Sequence, residues 1–169
     1  MPGGSVIGYG LVTGLVVLAL DQASKWWVLR VLDLPRLRQV HVLPFFDLTM
    51  VWNQGVTFGL FQQDSASGPW LLAGIALVVV ALLIVWMQRA ERRLVACALG
   101  AIAGGAVGNV LDRIRFGAVE DFFHLHAGGY SWYVFNVADS AVVCGVAVLI
   151  LEGLLPRRTG RLRAGADRG

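Results

Sequence analysis

PWLLAGIALVVVALLIVWM, Pro69 to Met87, decides the fold: nineteen residues in succession carry no charge. A helix needs about 20 predominantly apolar residues to cross the hydrocarbon core of a bilayer, and this run comes close to that length unaided. Three other segments share its character. VIGYGLVTGLVVLAL (Val6–Leu20) is extended by the more polar Asp21–Trp27, and LVACALGAIAGGAVGNVL (Leu94–Leu111) is uncharged and rich in Gly and Ala. The fourth runs from about Val134 to Leu155, interrupted by Asn136, Asp139 and, near its end, Glu152. Composition agrees. The chain is 57% hydrophobic and 15% charged with a mean hydropathy of +0.68, whereas a soluble domain carries about 25% charged residues. Eleven acids and fourteen bases spread over 169 positions cannot coat a globule of this size. A soluble domain, a disordered chain and a secreted disulfide scaffold are excluded.

The predicted spans, about 6–27, 69–87, 94–111 and 134–155, put both termini on one side of the membrane. The net charge of +3 comes almost wholly from arginine, with Lys25 the single lysine. The bases sit in short clusters outside apolar runs, a topology signal and not a nucleic-acid face. Arg89, Arg92 and Arg93 lie between the second and third spans, and Arg157, Arg158, Arg161, Arg163 and Arg168 follow the fourth. The positive-inside rule makes that side cytoplasmic. The first apolar run has no basic leader and no small-x-small cleavage site after it, so we read it as an uncleaved span. Residues 1–155 form one membrane domain, and 156–169 an Arg-rich cytoplasmic tail. In the first outer connection Phe46, Leu48, Met50 and Trp52 alternate with Asp47, Thr49 and Val51. Asn53-Gln54-Gly55 is a turn signal, and Val56–Phe61 is expected to return as a second strand, giving an extracytoplasmic hairpin over about 41–61. Trp26, Trp27, Trp52, Trp70 and Trp132 fall near span ends, where aromatic belts form. Cys97 and Cys144 lie in apolar stretches and read as small buried hydrophobes.

Ionisable groups at membrane depth are costly and face the protein interior or a water-filled cavity. Five acids lie at or near outer span ends: Asp21, Asp112, Glu120, Asp121 and Asp139. Asp21 and Lys25 are spaced for a helix ion pair, and Asn109, Asp112 and Arg113 can tie a loop to a helix end. Asp139 opens the fourth span with no base within a turn, so its bland explanation is stabilisation at a helix N-terminus. Asp121 sits in Val119-Glu120-Asp121-Phe122-Phe123, again between apolar neighbours. Two such carboxylates brought together share a proton. One then acts as base toward water and the other as acid toward the substrate, which is aspartyl-protease chemistry. His41, His124 and His126 come without HExxH or CxxC, and no Gly-x-Ser-x-Gly, Walker or GxGxxG element is present. Gly104-Gly105-Ala106-Val107-Gly108 reads as close helix packing.

Taken together, four blocks resemble the bacterial lipoprotein signal peptidases (signal peptidase II). They are Asp21-Gln22 with Lys25; Asn53-Gln54-Gly55 followed by Phe58; Gly108-Asn109-x-x-Asp112-Arg113 with Gly117, Val119, Asp121 and Phe122; and Phe135-Asn136-x-Ala138-Asp139-Ser140. The resemblance implies an all-α membrane protein, a four-helix transmembrane bundle with a small extracytoplasmic β element, in the bacterial inner membrane. It implies catalytic Asp121 and Asp139. It also implies substrate-binding or site-shaping roles for Asp21, Lys25, Asn53, Gly55, Asn109, Asp112, Arg113 and Asn136, with no metal or other cofactor. The implied reaction is cleavage of a prolipoprotein just before its diacylglyceryl-modified cysteine, by a monomer whose other partners are membrane lipids. Val56-Thr57 departs from the small residues usual there, and the Arg-rich tail lies outside the shared pattern. A proton-coupled transporter is the alternative, since membrane carboxylates also mark proton relays.

The arginine asymmetry has a direct test. Cysteines introduced at Asp64 and Ser131 are expected to react with a membrane-impermeant thiol reagent added outside intact cells, and cysteines at Glu91 and Thr159 to stay protected. The reverse labelling pattern overturns the orientation.

Overall fold

The computed structural model describes residues 4–55 and 68–155. In chain order these form α1 (Gly4–Arg30), the short α2 (Leu34–Leu37), β1 (Gln39–Leu43), β2 (Phe46–Asn53), α3 (Gly68–Gln88), α4 (Arg93–Phe116), β3 (Val119–Ala127), β4 (Tyr130–Ser131) and α5 (Val137–Leu154). Helices α1, α3, α4 and α5 are each long and apolar enough to cross a membrane. Helix α4 packs against the other three and is the most enclosed of the four.

Small residues explain why α4 takes the centre. In lipid there is no hydrophobic drive between helices, so association depends on close van der Waals approach. Gly100 and Gly104 lie one turn apart on α4, against Gly10 and Gly14 one turn apart on α1. A Cβ on either α4 glycine would strike the carbonyl oxygen of its α1 partner. Farther along α4, a Cβ on Gly105 would meet the Ala138 carbonyl oxygen of α5 at 2.6 Å, and one on Gly108 would strike the Asp21 carboxylate. The glycine-rich run thus brings α1, α4 and α5 close together, as its composition predicts. The outward faces carry the large apolar side chains, including Val12, Leu15, Val78, Leu82, Val143 and Leu151.

Helix α4 runs on past Leu111 to Phe116, so Asp112, Arg113 and Arg115 ride on a helix that the sequence alone ended sooner. Gly117 then adopts φ 69° and its N–H closes on the Arg113 carbonyl at 3.0 Å. This left-handed cap is one that glycine takes without a Cβ penalty. It turns the chain straight into β3.

The sheet has the antiparallel order β1-β2-β3-β4. The expected strand over Phe46–Trp52 is present as β2, but its partners are β1 and β3. The hairpin closes on its N-terminal side, through Pro44-Phe45. The return strand expected over Val56–Phe61 lies outside the described residues, as do Phe58, the Val56-Thr57 departure and the 156–169 tail. Strand β3 falls in what the sequence presented as a plain connection. Val51 pairs with Asp121 and Asn53 with Val119 across β2–β3. An isolated bridge between Phe123 and Phe135 then fastens the segment before α5 to β3, with N–H···O distances of 2.7 and 3.0 Å. Beneath the sheet Phe122 packs with Val28 and Leu34, anchoring it to the end of α1.

Trp26, Trp27 and Trp70 are exposed near helix ends, Trp132 is exposed just after β4, and Trp52 lies against Phe116 with ring centroids 5.6 Å apart. Cys97 is half-buried. Cys144 is exposed on the outward side of α5, contrary to the buried role expected of it, because only one narrow side of α5 meets α4. At the end away from the sheet, Arg92 pairs with Glu152, and the Arg93 guanidinium sits 4.7 Å from the Tyr9 ring centre.

Candidate active site

Lys25 is buried at the sheet end of the bundle, where an isolated ammonium would be costly. Its Nζ lies 2.8 Å from Asp21 Oδ2, one helical turn back on α1, and 2.5 Å from Asp112 Oδ2 on α4. The other Asp21 oxygen accepts the Ala138 N–H of α5 at 3.0 Å. One triad of charges therefore ties three helices together at a single level. Gln22 adds to it, donating to Asp21 and to Asp112 at 3.1 Å each.

Beside this triad lie the two candidate acids. Asp121 reaches the site from β3 and is almost completely buried; Asp139 reaches it from the third position of α5 and is half-buried. Three asparagines connect them. Asn136 Nδ2 donates to Asp121 Oδ1 at 2.8 Å and to Asn109 Oδ1 at 3.2 Å, and Asn109 Nδ2 donates to Asp139 Oδ1 at 2.8 Å. From the other side Asn53 Nδ2 donates to Asp121 Oδ2 at 2.9 Å.

Each amide is oriented by what its oxygen accepts. Asn53 Oδ1 accepts the Gly55 N–H at 2.9 Å, the local side-chain turn for which Asn is suited. Asn109 Oδ1 accepts Lys25 Nζ at 3.3 Å as well as Asn136. Asn136 Oδ1 accepts the Asp139 N–H at 2.9 Å, while Asp139 Oδ2 accepts the Asn136 N–H at 3.2 Å. This last pair is a capping box at the start of α5. The helix-terminus explanation of Asp139 is thus correct as far as Oδ2 goes, and Oδ1 still faces the web. With every oxygen engaged, the three NH₂ groups point at carboxylates.

Arg113 extends from α4 into the same region. One guanidinium nitrogen donates to the Asn109 carbonyl at 3.3 Å, and its charge acts on Asp139, Asp112 and Asp121. Gly55 lies beside it at φ 108°, where a Cβ would make only ordinary contact with Arg113 Nη2 at 3.8 Å but would strike Leu72 of α3. All ten residues singled out from the sequence therefore belong to two contiguous clusters, the Asp21–Lys25–Asp112 triad and the web around Asp121 and Asp139.

Burial pushes the Asp121 carboxyl up to about 6, aided by the charge of Asp139 and opposed by the hydrogen bonds from Asn53 and Asn136. Asp47 on β2 shows the opposite balance. Burial raises it too, but bonds from His41 and Gln39 and the charges of His41 and His126 outweigh that and hold it below the usual carboxylate range. Its oxygens lie 2.9 Å from His41 Nδ1 and 3.0 Å from His126 Nε2. The sequence reading found no link between these histidines and Asp47. The alternation in β3 is the signal for it, since it puts His124 and His126 on one face.

The fold and the web together define a four-span membrane protein with two hydrogen-bonded acids at one end of the bundle, and the comparisons supply its family. The family model described as signal peptidase (SPase) II matches residues 13–155. The chain is 55% identical over 147 residues to a lipoprotein signal peptidase of Methylorubrum extorquens, covering 87% of this chain and 86% of that one. It is 47% identical over 151 residues to one of Beijerinckia indica, covering 89% and 90%. A bacterial membrane enzyme solved by the in meso method at 2.3 Å shares the fold, with a TM-score of 0.76 at 22% identity over 94% of this chain and 95% of that one. The chain belongs to the signal peptidase II family and is a membrane peptidase.

Asn53 offers a test of the electrostatics. Its bond favours the ionised form of Asp121, so removing it raises the carboxyl further. If turnover needs a protonated Asp121, Asn53→Ala is expected to move the basic limb of the kcat/KM–pH profile to higher pH than in the wild type. A limb that stays in place, with only thermal stability lost, would make Asn53 a turn residue and nothing more.

Proposed function

We propose that the protein is an aspartic endopeptidase in which Asp121 and Asp139 act as one proton-sharing pair, releasing signal peptides by cutting just before a diacylglyceryl-modified cysteine. The observation that carries this reading is the Asp121–Asn136–Asn109–Asp139 relay, which holds two carboxyl groups in one hydrogen-bonded unit. Membership of the signal peptidase II family supports prolipoprotein signal peptides as substrates and gives no support to a proton-coupled transporter.

Asp121, deeper and raised toward neutrality, holds the proton, and the more open Asp139 takes one from a water. That water attacks the scissile carbonyl carbon while the Asp121 proton passes to the carbonyl oxygen. Collapse of the tetrahedral intermediate breaks the C–N bond: the proton gained by Asp139 goes to the leaving amine, and a hydroxyl proton of the intermediate returns to Asp121, which restores the pair. Asn109 and Asn136 keep the pair aligned, and the Arg113 guanidinium offsets the charge on Asp139. Asp21, Lys25 and Asp112 brace that web from behind, and the Gly55 N–H orients the Asn53 amide toward Asp121.

The single membrane domain lies in the bacterial inner membrane with both termini cytoplasmic, as the arginine distribution supports, and the acid pair faces the extracytoplasmic side. There the diacylglyceryl chains of the substrate stay in lipid while the scissile bond meets water. All the site residues come from one chain, so a monomer suffices.

Asp121→Asn and Asp139→Asn are each expected to lower turnover of a lipidated precursor by at least about a thousandfold, while the purified proteins keep melting temperatures near wild type. Ready turnover by either variant would remove that residue from the chemistry.

A further inference from the structure

Strand alternation sends Glu120 to the face of β3 opposite Asp121, away from the acid web. There it lines a cavity of about 180 Å³ between the sheet-side ends of α1 and α4, together with Lys25, Asp112, Arg30, Arg115 and Trp26. Glu120 is 1% exposed, and among the described residues its Oε2 has no hydrogen-bond partner. An unpaired buried carboxylate oxygen is costly unless something absent from the chain itself satisfies it.

The charges facing it indicate what that is. Asp21, Asp112 and Glu120 are all buried here, against one buried cation, Lys25, which the first two already engage. Burial, with the charge of Asp112 added, pushes Glu120 up to about 7 despite Lys25 and Arg115. The Lys25 ammonium at the floor is spent on Asp21 and Asp112, so Glu120 has no cation of its own. The rim of the cavity has the opposite need. Arg30 and Arg115 are exposed there, and Arg115 spends one guanidinium nitrogen on Gln22 Oε1 at 2.7 Å. Beyond the rim, Trp26 and Phe116 turn outward at 61% and 48% exposure. From floor to outside the order is carboxylate, guanidinium, apolar surface.

We infer that this cavity binds the head of a zwitterionic glycerophospholipid bearing a primary amine, with its ammonium at Glu120, its phosphate between Arg30 and Arg115, and its chains along Trp26 and Phe116. The three chemical zones of such a lipid follow one another in the same order as the three zones of the cavity. A quaternary ammonium has no N–H to give Glu120, and an anionic head without an amine leaves the floor unsatisfied. The site is separate from the proposed acid pair and independent of the reaction assigned to it.

The test is a native mass-spectrometric titration of the delipidated full-length protein in detergent, using phosphatidylethanolamine, phosphatidylcholine and phosphatidylglycerol with identical acyl chains. One equivalent of phosphatidylethanolamine is expected to bind on the order of tenfold more tightly than either of the others. Glu120→Gln should reduce it to the level of phosphatidylglycerol, and Arg30→Ala, a change at an exposed position, should weaken both lipids together. Equal binding of the three lipids by the wild-type protein overturns the inference, whether or not the variants fold. So does a phosphatidylethanolamine preference that survives in a Glu120→Gln protein of unchanged melting temperature. Free phosphoethanolamine binding as tightly as the lipid would overturn the assignment to a membrane lipid.

Discussion

The buried ammonium of Lys25 is the constraint on which the rest of this molecule depends. Removing one member of a buried ion pair costs about 3–5 kcal/mol, because an uncompensated charge is left behind. Lys25 stands between two carboxylates, so its loss would strand both. Through Asp21 it holds the N-terminus of α5, and through Asp112 the last turns of α4. Its contact with Asn109 then carries that scaffold into the site, since it fixes which end of the Asn109 amide faces Asp139. The glycine contacts of α1 with α4 make this possible. Larger residues at Gly104 or Gly108 would hold the helices too far apart for Lys25 to span them.

Three buried carboxylates on one small sheet show how partners decide the character of an acid. Asp47 receives an amide and two imidazoles and stays ionised. Asp121 receives two amides, which fall short of offsetting its burial beside Asp139, and it sits near neutrality. Glu120 has the fewest partners and is pushed up to about 7. All three sit on paired strands of one sheet. The difference lies in which side chains β1, β2 and the segment before α5 present to each, and so in the order of the strands.

That order was the part hardest to read from the chain. The four spans were legible because bilayer thickness imposes a length and a composition on a single segment, and the glycine-rich stretch of α4 announced close packing by itself. The Asp21–Lys25 pair is local to one helix and was equally plain. Strand β3 was not, although its residues alternate, because its pairing with β2 joins positions such as Val51 and Asp121 that are far apart in sequence. Without that pairing Asn53 is only a turn residue and His126 only a loop residue. Asn136 is a further case. Its side-chain oxygen caps α5, a role its place before an apolar run suits, while the NH₂ of the same side chain holds Asp121 and Asn109. Sequence displays one role per residue more readily than two.

The central claim is that Asp121 and Asp139 behave as one electrostatic unit, and the most direct measurement follows the side-chain ¹³C carboxyl shift of Asp121 through a pH titration, in the wild-type protein and in Asp139→Asn. The account predicts a wild-type midpoint near 6 that falls when the charge at position 139 is removed, since that charge helps to raise it. A midpoint that is the same in both proteins would contradict the coupling, and with it the proposal that the two acids share a proton.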